Sequence, residues 1–229
     1  MPRLIALAGL PLALFVTTTG LGLLAERLAR ARVANGLLAP LGFCAATSLL
    51  LATYQLGAPF AVAAGLLVVG TLAGFALARA ELPARLNPSW PGLAALVVYA
   101  LYAAPVLLSG NWTWSGYNFL NDTSVQFLLI DHLRSSGTDV ASLPLTTGGQ
   151  VTRTYLDTGY PLGTHAFAAT LAGLLGSGPE VIYQAFLSAM AALAAMAFAM
   201  LAGSTLFSPR WRRTSRTTPA CRARSRSSA

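Results

Sequence analysis

Residues 36–78 read GLLAPLGFCAATSLLLATYQLGAPFAVAAGLLVVGTLAGFALA and contain no Asp, Glu, Lys or Arg. Two apolar segments, 36–54 and 59–78, are joined by a short turn at 55–58. The hydrocarbon core of a bilayer is about 30 Å thick, and about 20 helical residues cross it. This stretch therefore predicts two membrane-spanning helices that run in opposite directions.

The same pattern continues on both sides of this pair. Uncharged runs at 4–25, 92–109 and 181–207 are each long enough to cross a bilayer, and a shorter apolar run lies at 162–175. We expect the shorter run to span as well, with a re-entrant segment as the alternative. The short alternating segments of a membrane barrel do not occur. The sequence thus predicts an all-α polytopic transmembrane helix bundle of about six spans, over residues 1–207.

Composition agrees with an integral membrane protein and excludes several other classes. The chain is 55% hydrophobic and 10% charged, and its mean hydropathy is +0.62. Seven of its arginines lie in 208–229, so the net charge of +8 belongs mostly to that tail. A disordered arginine tail is not the basic, aromatic-bearing face that binds nucleic acid, and we expect no nucleic-acid partner. The abrupt change at 208 indicates a basic, disordered and non-native tail, produced by truncation or a frame shift in a longer protein.

Arginine placement predicts the topology, because cationic loops resist translocation. The connections after the first and third runs carry Arg27, Arg30, Arg32, Arg79 and Arg85, and we place both in the cytoplasm. Alternation then places the long polar loop at 110–160 on the extracytoplasmic side of a plasma (inner) membrane. Six spans would also leave the arginine tail outside, against the same rule. Either 162–175 dips in and returns, or the tail is not native.

The outer loop holds four of the seven acidic residues, Asp122, Asp131, Asp139 and Asp157. Thr123 and Gln126 have the spacing of a capping box, and an apolar stretch follows, so a short surface helix is predicted to end near Arg134. Asp122 and Gln126 share one side of that helix, whereas Asp131 lies on the opposite side. Residues 135–150 are rich in Gly, Ser and Thr and are predicted to form a loop.

Polar residues return where the chain re-enters the lipid, in the sequence VTRTYLDTGYPLGTH at 151–165. Arg153, Asp157, Tyr160 and His165 are the candidate site residues of this stretch. His165 is either an interfacial histidine bonded to a neighbouring helix or a ligand to phosphate or a proton relay. Arg153 is either paired with Asp157 in the loop or bound to a phosphate. With no cluster of His and Cys, no metal site is predicted.

The segments NDTSVQFLLIDHL at 121–133 and YPLGTHAFAATLAGLLG at 160–176 resemble the GT-C superfamily of polytopic glycosyltransferases. They also resemble uncharacterised actinobacterial membrane proteins with a YPxGxH motif. The resemblance covers 92–207, about half of the chain. It implies transfer of a sugar from a polyprenyl phosphate donor at the extracytoplasmic face, in the cell envelope.

The resemblance also implies roles for individual residues. Asp122 would accept the proton of the acceptor hydroxyl, and Arg153 or His165 would stabilise the departing phosphate. Gln126, Asp157 and Tyr160 would complete the substrate site. A divalent cation bridging Asp122 and the phosphate stays open as a cofactor, although no ligand set requires one.

Two other functions compete with this one. The first is a non-catalytic membrane subunit or an inactive fragment. The second is a transporter, which is less expected because the long spans carry no ionisable residue at the membrane midplane. The partners implied by the main reading are membrane lipid and the polyprenyl-linked sugar donor; the sequence gives no indication of an oligomeric state.

Overall fold

The computed structural model describes residues 5–86, 90–109 and 122–206, without the side chains of residues 5, 6, 109, 122 and 204–206. Within these ranges every regular element is a helix and no strand occurs. The basic tail predicted for 208–229 lies outside the described residues. The described residues form nine α-helices: α1 Leu10–Ala29, α2 Leu38–Gln55, α3 Phe60–Leu77, α4 Leu82–Arg85, α5 Trp90–Ser109, α6 Asp122–Ser136, α7 Thr147–Asp157, α8 Gly163–Leu174 and α9 Pro179–Leu206.

Five of the described helices are long and apolar enough to cross a membrane, namely α1, α2, α3, α5 and α9. A π-helical turn at Ile5–Gly9 precedes α1, and a 3₁₀ turn at Asn35–Leu37 precedes α2. These helices coincide with the five long uncharged runs of the sequence. The prediction of an all-α polytopic helix bundle is therefore confirmed.

Helix α1 packs tightly between α2 and α3 because glycines remove the side chains at the crossing points. A Cβ atom added to Gly42 of α2 would overlap the backbone of Thr18, and one added to Gly74 of α3 would overlap the carbonyl oxygen of Gly20. Small residues of this kind let membrane helices approach until their backbones touch. Helix α9 packs mainly along α5 and completes the bundle.

The glycine crossing supports a first prediction. Gly74→Ala is expected to destabilise the bundle by about 1–3 kcal/mol, because the added methyl group meets backbone that cannot move aside cheaply. The matched control is Gly65→Ala in the same helix, where an added Cβ has nothing within 4 Å. Thermal unfolding in detergent measures both changes, and equal midpoints for the two variants would contradict the close crossing.

The bundle has two polar ends. At the first, which we call the arginine end, Glu26 and Arg27 at the end of α1 bind Arg85 and Glu81 respectively. At the opposite end, which we call the loop end, residues 122–162 lie beside the end of α2, and Thr138 donates a hydrogen bond to the Tyr54 carbonyl (3.0 Å). Helix α9 returns to the arginine end, since Met200 lies against Gly36 and Pro91.

Helix α8 corrects the predicted span at 162–175. It has 12 residues, which rise about 18 Å and cannot cross a core of about 30 Å. It begins inside the bundle, where Gly163 lies against Thr47 of α2, and it ends near Phe60 at the start of α3. The described part of the chain therefore has five candidate spans, and α9 ends at the arginine end. Two explanations were left open for the placement of the arginine tail: a segment at 162–175 that does not span, or a tail that is not native. The short α8 favours the first.

The segment 122–162 contains more helix than the sequence indicated. Helix α6 packs mainly against α8, with Leu129, Ile130 and Leu133 buried in the main core. It begins at Asp122, two residues before the first helical position that the predicted capping box at Thr123 implies. Residues within the predicted loop 135–150 open a second helix, α7, whose N-cap Thr146 accepts a hydrogen bond from the Gly149 amide (3.1 Å). The two glycines of TGGQ concealed this helix, because glycine disfavours helical backbone.

Candidate functional site

A cavity of about 390 Å³ lies between α2 and the start of α8. Its size is within the range of about 300–1,000 Å³ that is usual for small-molecule sites. Polar groups from both helices face it, together with the segment that leads into α8. Its lining consists of Thr47, Ser48, Leu51, Tyr160, Pro161, Gly163, Thr164 and His165.

The chain is not helical where it reaches this cavity. Gly159 adopts a left-handed backbone (φ +70°), and residues 160–162 have no regular structure before α8 begins at Gly163. Gly163 lies against Thr47, eight residues before the end of α2, which is about 12 Å along that helix. Non-helical backbone at such depth in a membrane bundle is tolerated where protein buries it or where it lines a cavity. The break in the chain is thus explained by the cavity itself.

His165 lies at the centre of the site. It is only 7% exposed, its Nε2 is bonded to the Gln126 Oε1 of α6, and its ring contacts the Tyr160 ring edgewise at 5.7 Å. Burial lowers the pKa of His165 to about 4. A pKa this low favours the neutral imidazole at pH 7. The role of His165 at a departing phosphate stays a prediction.

The second ring nitrogen of His165 has an unmet hydrogen bond. Nδ1 is buried and has no partner among the described residues. Because the Gln126 carbonyl oxygen faces Nε2, that nitrogen carries the proton and Nδ1 presents a lone pair. A buried, unpaired acceptor is costly, so a hydroxyl group that reached Nδ1 would be held there.

The N-terminus of α8 forms part of the same cavity. Gly163, Thr164 and His165 are its first three residues, and no side chain caps them. Uncapped amides at a helix start carry a partial positive charge and bind phosphate and carboxylate groups. The unpaired Nδ1 of His165 lies in the same turn. This turn therefore holds two kinds of polar group, the first amides of α8 and Nδ1, that have no side-chain partner among the described residues.

The cavity opens toward the side of the bundle. Ser48 and Pro161, both in its lining, are exposed to the surroundings of the bundle. Ser48 lies in the middle of α2, a candidate span, so a bilayer would cover this opening. A ligand attached to a lipid can therefore enter from the membrane as well as from the loop end.

Three of the predicted site residues are brought together and two are not. Gln126, Tyr160 and His165 meet at the cavity. Arg153 and Asp157 are exposed on α7; Arg153 donates to the Val140 carbonyl (3.1 Å), and no ion pair joins these two described residues. The alternative that paired them was therefore wrong, and neither lines the cavity.

Asp122 is the first residue of α6, one helical turn before Gln126. The α-helical spacing of four residues places the two on the same side of α6, as the sequence predicted. Its side chain lies outside the described residues.

Thr47, Ser48 and the α8 amides were missed at the sequence level. Thr47 and Ser48 appear in the sequence as two adjacent hydroxyl residues inside an otherwise apolar run. Such a pair is equally typical of helix packing. The signal for the amides was Pro161, which is typical of a helix start. The helix begins two residues later, at Gly163, and its first amides therefore lie at the cavity.

The buried histidine predicts a pH dependence. The folded-state pKa of His165 is about 4, whereas its ordinary value is 6.5. The unfolded chain therefore binds more protons between these values, and the stability rises with pH through that window. The loss on acidification from pH 6.5 to 4 is about 3 kcal/mol.

Unfolding midpoints in detergent measured from pH 4 to 8 check this prediction. Burial also lowers the pKa of His132 in α6, opposed by the nearby Asp139 and Asp131, so His132 contributes in the same direction. His165→Gln should remove most of the pH dependence, and His132→Gln should remove less. An unchanged slope in His165→Gln would show that His165 is not buried as a neutral group.

Comparisons with protein-family models, with curated proteins and with solved structures found no match for this chain. Among the described residues, no group of three or more His, Cys, Asp or Glu side chains is placed to hold a metal ion. The geometry of the cavity beside His165 is therefore the main indication of what the protein does.

Proposed function

We propose that the protein is a membrane glycosyltransferase of the GT-C type, which transfers a sugar from a polyprenyl phosphate donor. The observation that carries the proposal is the bond between Gln126 and His165, which are 39 residues apart. It joins the two segments on which the family resemblance rests, and it does so at a cavity. Two motifs that meet at a cavity are more typical of a site than of packing alone.

The donor phosphate fits the start of α8. The uncapped amides of Gly163, Thr164 and His165 offer hydrogen bonds and a partial positive charge. We assign this role to the amides because Arg153 does not line the cavity and the low pKa of His165 favours its neutral form. The lateral opening at Ser48 leaves room for the prenyl chain to remain in the bilayer while the phosphate and sugar occupy the cavity.

The transfer step follows from these placements. The acceptor hydroxyl oxygen attacks the anomeric carbon of the sugar, the bond from that carbon to the phosphate oxygen breaks, and polyprenyl phosphate leaves with the electron pair. Asp122 accepts the hydroxyl proton as general base. The lone pair on His165 Nδ1 can accept a hydrogen bond from a sugar hydroxyl and so orient the substrate.

Transfer by the purified protein tests the proposal. The protein is reconstituted in vesicles with polyprenyl phosphates that carry different labelled sugars, and transfer to saccharide or lipid acceptors is followed. Transfer from at least one polyprenyl phosphate sugar, and none from the matching sugar nucleotide, is the expected result. Absence of transfer across the panel, with a protein shown to be folded, would refute the enzyme.

The proposed reaction requires the loop end to face the outside of the plasma membrane. Leu145, which is 97% exposed at the loop end, is the best reporter. In a background with Cys44 and Cys221 replaced by Ser, Leu145→Cys should react with an impermeant thiol reagent added to intact cells. Labelling that appears only after lysis would place the loop end in the cytoplasm and exclude the proposed topology.

Transport is the second candidate, and one observation favours it. A helix that begins inside the bundle, with its N-terminus at a cavity, also occurs at the substrate sites of transporters. A transporter would move its substrate into sealed vesicles without chemical change. Accumulation of intact substrate in the same vesicles, with no transferred sugar, would favour this function over the transferase.

A further inference from the structure

A second cavity, of about 350 Å³, lies at the arginine end, remote from the site beside His165. Arg27, Arg30 and Arg32 line it together with Glu26 and Glu81. We refer to it as the arginine pocket. Nothing in the proposed transfer reaction uses it, although it holds most of the described ionic side chains of that end.

A buried network fixes the shape of the arginine pocket. The Arg85 side chain is 4% exposed and binds both carboxylate oxygens of Glu26. Arg85 also donates to the Val33 carbonyl (3.0 Å) and to Asn35 Oδ1 (2.5 Å), while the Val33 amide donates to Glu26 Oε1 (2.6 Å). The connection between α1 and α2 is thus tied to α4, and the pocket between them is preformed.

The charges around the pocket do not balance. Arg85 is paired with Glu26. Arg27 and Arg32 both pair with Glu81, and the distance from Arg32 to Glu81 is 3.4 Å. Arg30 has no carboxylate partner among the described residues. Four guanidinium groups thus face two carboxylates, and the surplus charge is positive. Arg85 Nε, which is buried, also has no hydrogen-bond acceptor in the described part of the chain.

The backbone presents Arg30 in an unusual way. It is the one described residue other than glycine with a positive φ (50°), and it forms the C-cap of α1. A left-handed backbone is sterically unfavourable for a residue with a Cβ atom. Glycine would fit this position without strain. An arginine at such a position is therefore a candidate for a functional side chain.

The pocket is apolar on its other side. Leu23 and Ala78 complete the lining, and both are 2% exposed in a small apolar cluster under the arginines. They lie where α1 and α3 reach the end of their apolar segments. This is the depth at which a phospholipid changes from acyl chain to headgroup.

We propose that the arginine pocket binds the phosphate group of an anionic membrane phospholipid. Arg30 pairs with the phosphate and Arg32 assists it, above the apolar floor that Leu23 and Ala78 form. Basic pockets between transmembrane helices bind anionic headgroups by this combination of charge and depth. A soluble phosphate offers the same group without the chains, and the experiment separates these two sources.

Native mass spectrometry of the full chain, released from neutral detergent, measures binding of added phosphatidylglycerol, phosphatidylcholine or inorganic phosphate. Phosphatidylglycerol is expected to bind at least about fivefold more tightly than phosphatidylcholine. Arg30→Gln should weaken it about fivefold, and Arg30→Lys should retain most of the binding. Arg79→Gln, which removes an exposed arginine at the same end but outside the pocket, should weaken it less than about twofold.

Other outcomes would overturn the proposal. Equal losses in Arg30→Gln and Arg79→Gln would indicate general surface charge, and equal binding of the two lipids would exclude headgroup recognition. Inorganic phosphate that binds as tightly as phosphatidylglycerol would overturn the lipid assignment in favour of a soluble anion. Arg32→Gln provides a second variant, also expected to weaken binding, in case Arg30→Gln unfolds.

Discussion

Glu26→Gln is expected to lower the free energy of unfolding by about 3–5 kcal/mol. The substitution leaves the Arg85 guanidinium, which is 4% exposed, without its counter-charge. A buried charge with no partner keeps its full desolvation penalty and loses the attraction that offset it. Thermal or denaturant unfolding in detergent, at neutral pH and constant ionic strength, measures the difference.

The protein contains a matched control for this result. Glu81→Gln removes a carboxylate at the same end, but Glu81 and its partner Arg27 have side chains that are 38% and 46% exposed. Exposed ion pairs contribute about 0–1 kcal/mol, so this variant should unfold almost as the wild type does. A similar loss in the two variants would mean that general charge, and not burial of the Glu26–Arg85 pair, stabilises the arginine end.

Asp122→Asn is expected to lower the rate of sugar transfer by about 10²–10⁴-fold. Asparagine has nearly the same shape as aspartate, so the start of α6 should persist. What it cannot do is accept a proton from the acceptor hydroxyl. The initial rate in the vesicle assay, at saturating donor, gives the ratio of the two proteins.

Asp131→Asn is the control in the same helix. Asp131 is exposed, it pairs with Arg134 at 2.8 Å, and it lies half a turn away from the side that holds Asp122 and Gln126. Transfer should therefore continue at close to the wild-type rate. Equal activity of wild type and Asp122→Asn would remove Asp122 from the reaction, and equal loss in the two variants would point to a structural effect on α6.

The helical spans could be predicted closely because length and apolarity alone decide whether a segment can cross a bilayer. The apolar runs at 36–54 and 59–78 became α2 and α3 almost unchanged. The run at 162–175 was wrongly predicted to span, because its composition is that of a span while its 12-residue helix is too short to cross. Burial inside a bundle and burial in lipid select the same apolar residues, and the sequence does not distinguish the two.

The candidate site could be predicted only in part. The sequence identified His165, Gln126 and Tyr160 as candidates, and their shared position depends on how α6 packs over α8. It also proposed Arg153 and Asp157 because they are close to His165 along the chain. Helix α7 turns both outward, and nothing in their residue types indicates that direction.

By itself the sequence determined that the chain forms apolar helices and that arginines are concentrated in the connections after the first and third spans. It also showed that most of the acidic residues lie in 110–165. These properties follow from local composition, because a bilayer requires each span to satisfy its own backbone. Only the tertiary structure decided that α8 begins inside the bundle and that burial lowers the pKa of His165. It also decided that Glu26 holds a buried Arg85 and that Arg30 has no carboxylate partner among the described residues. These four properties depend on contacts between residues far apart in the chain, and burial changes the behaviour of an ionisable group only after those contacts have formed.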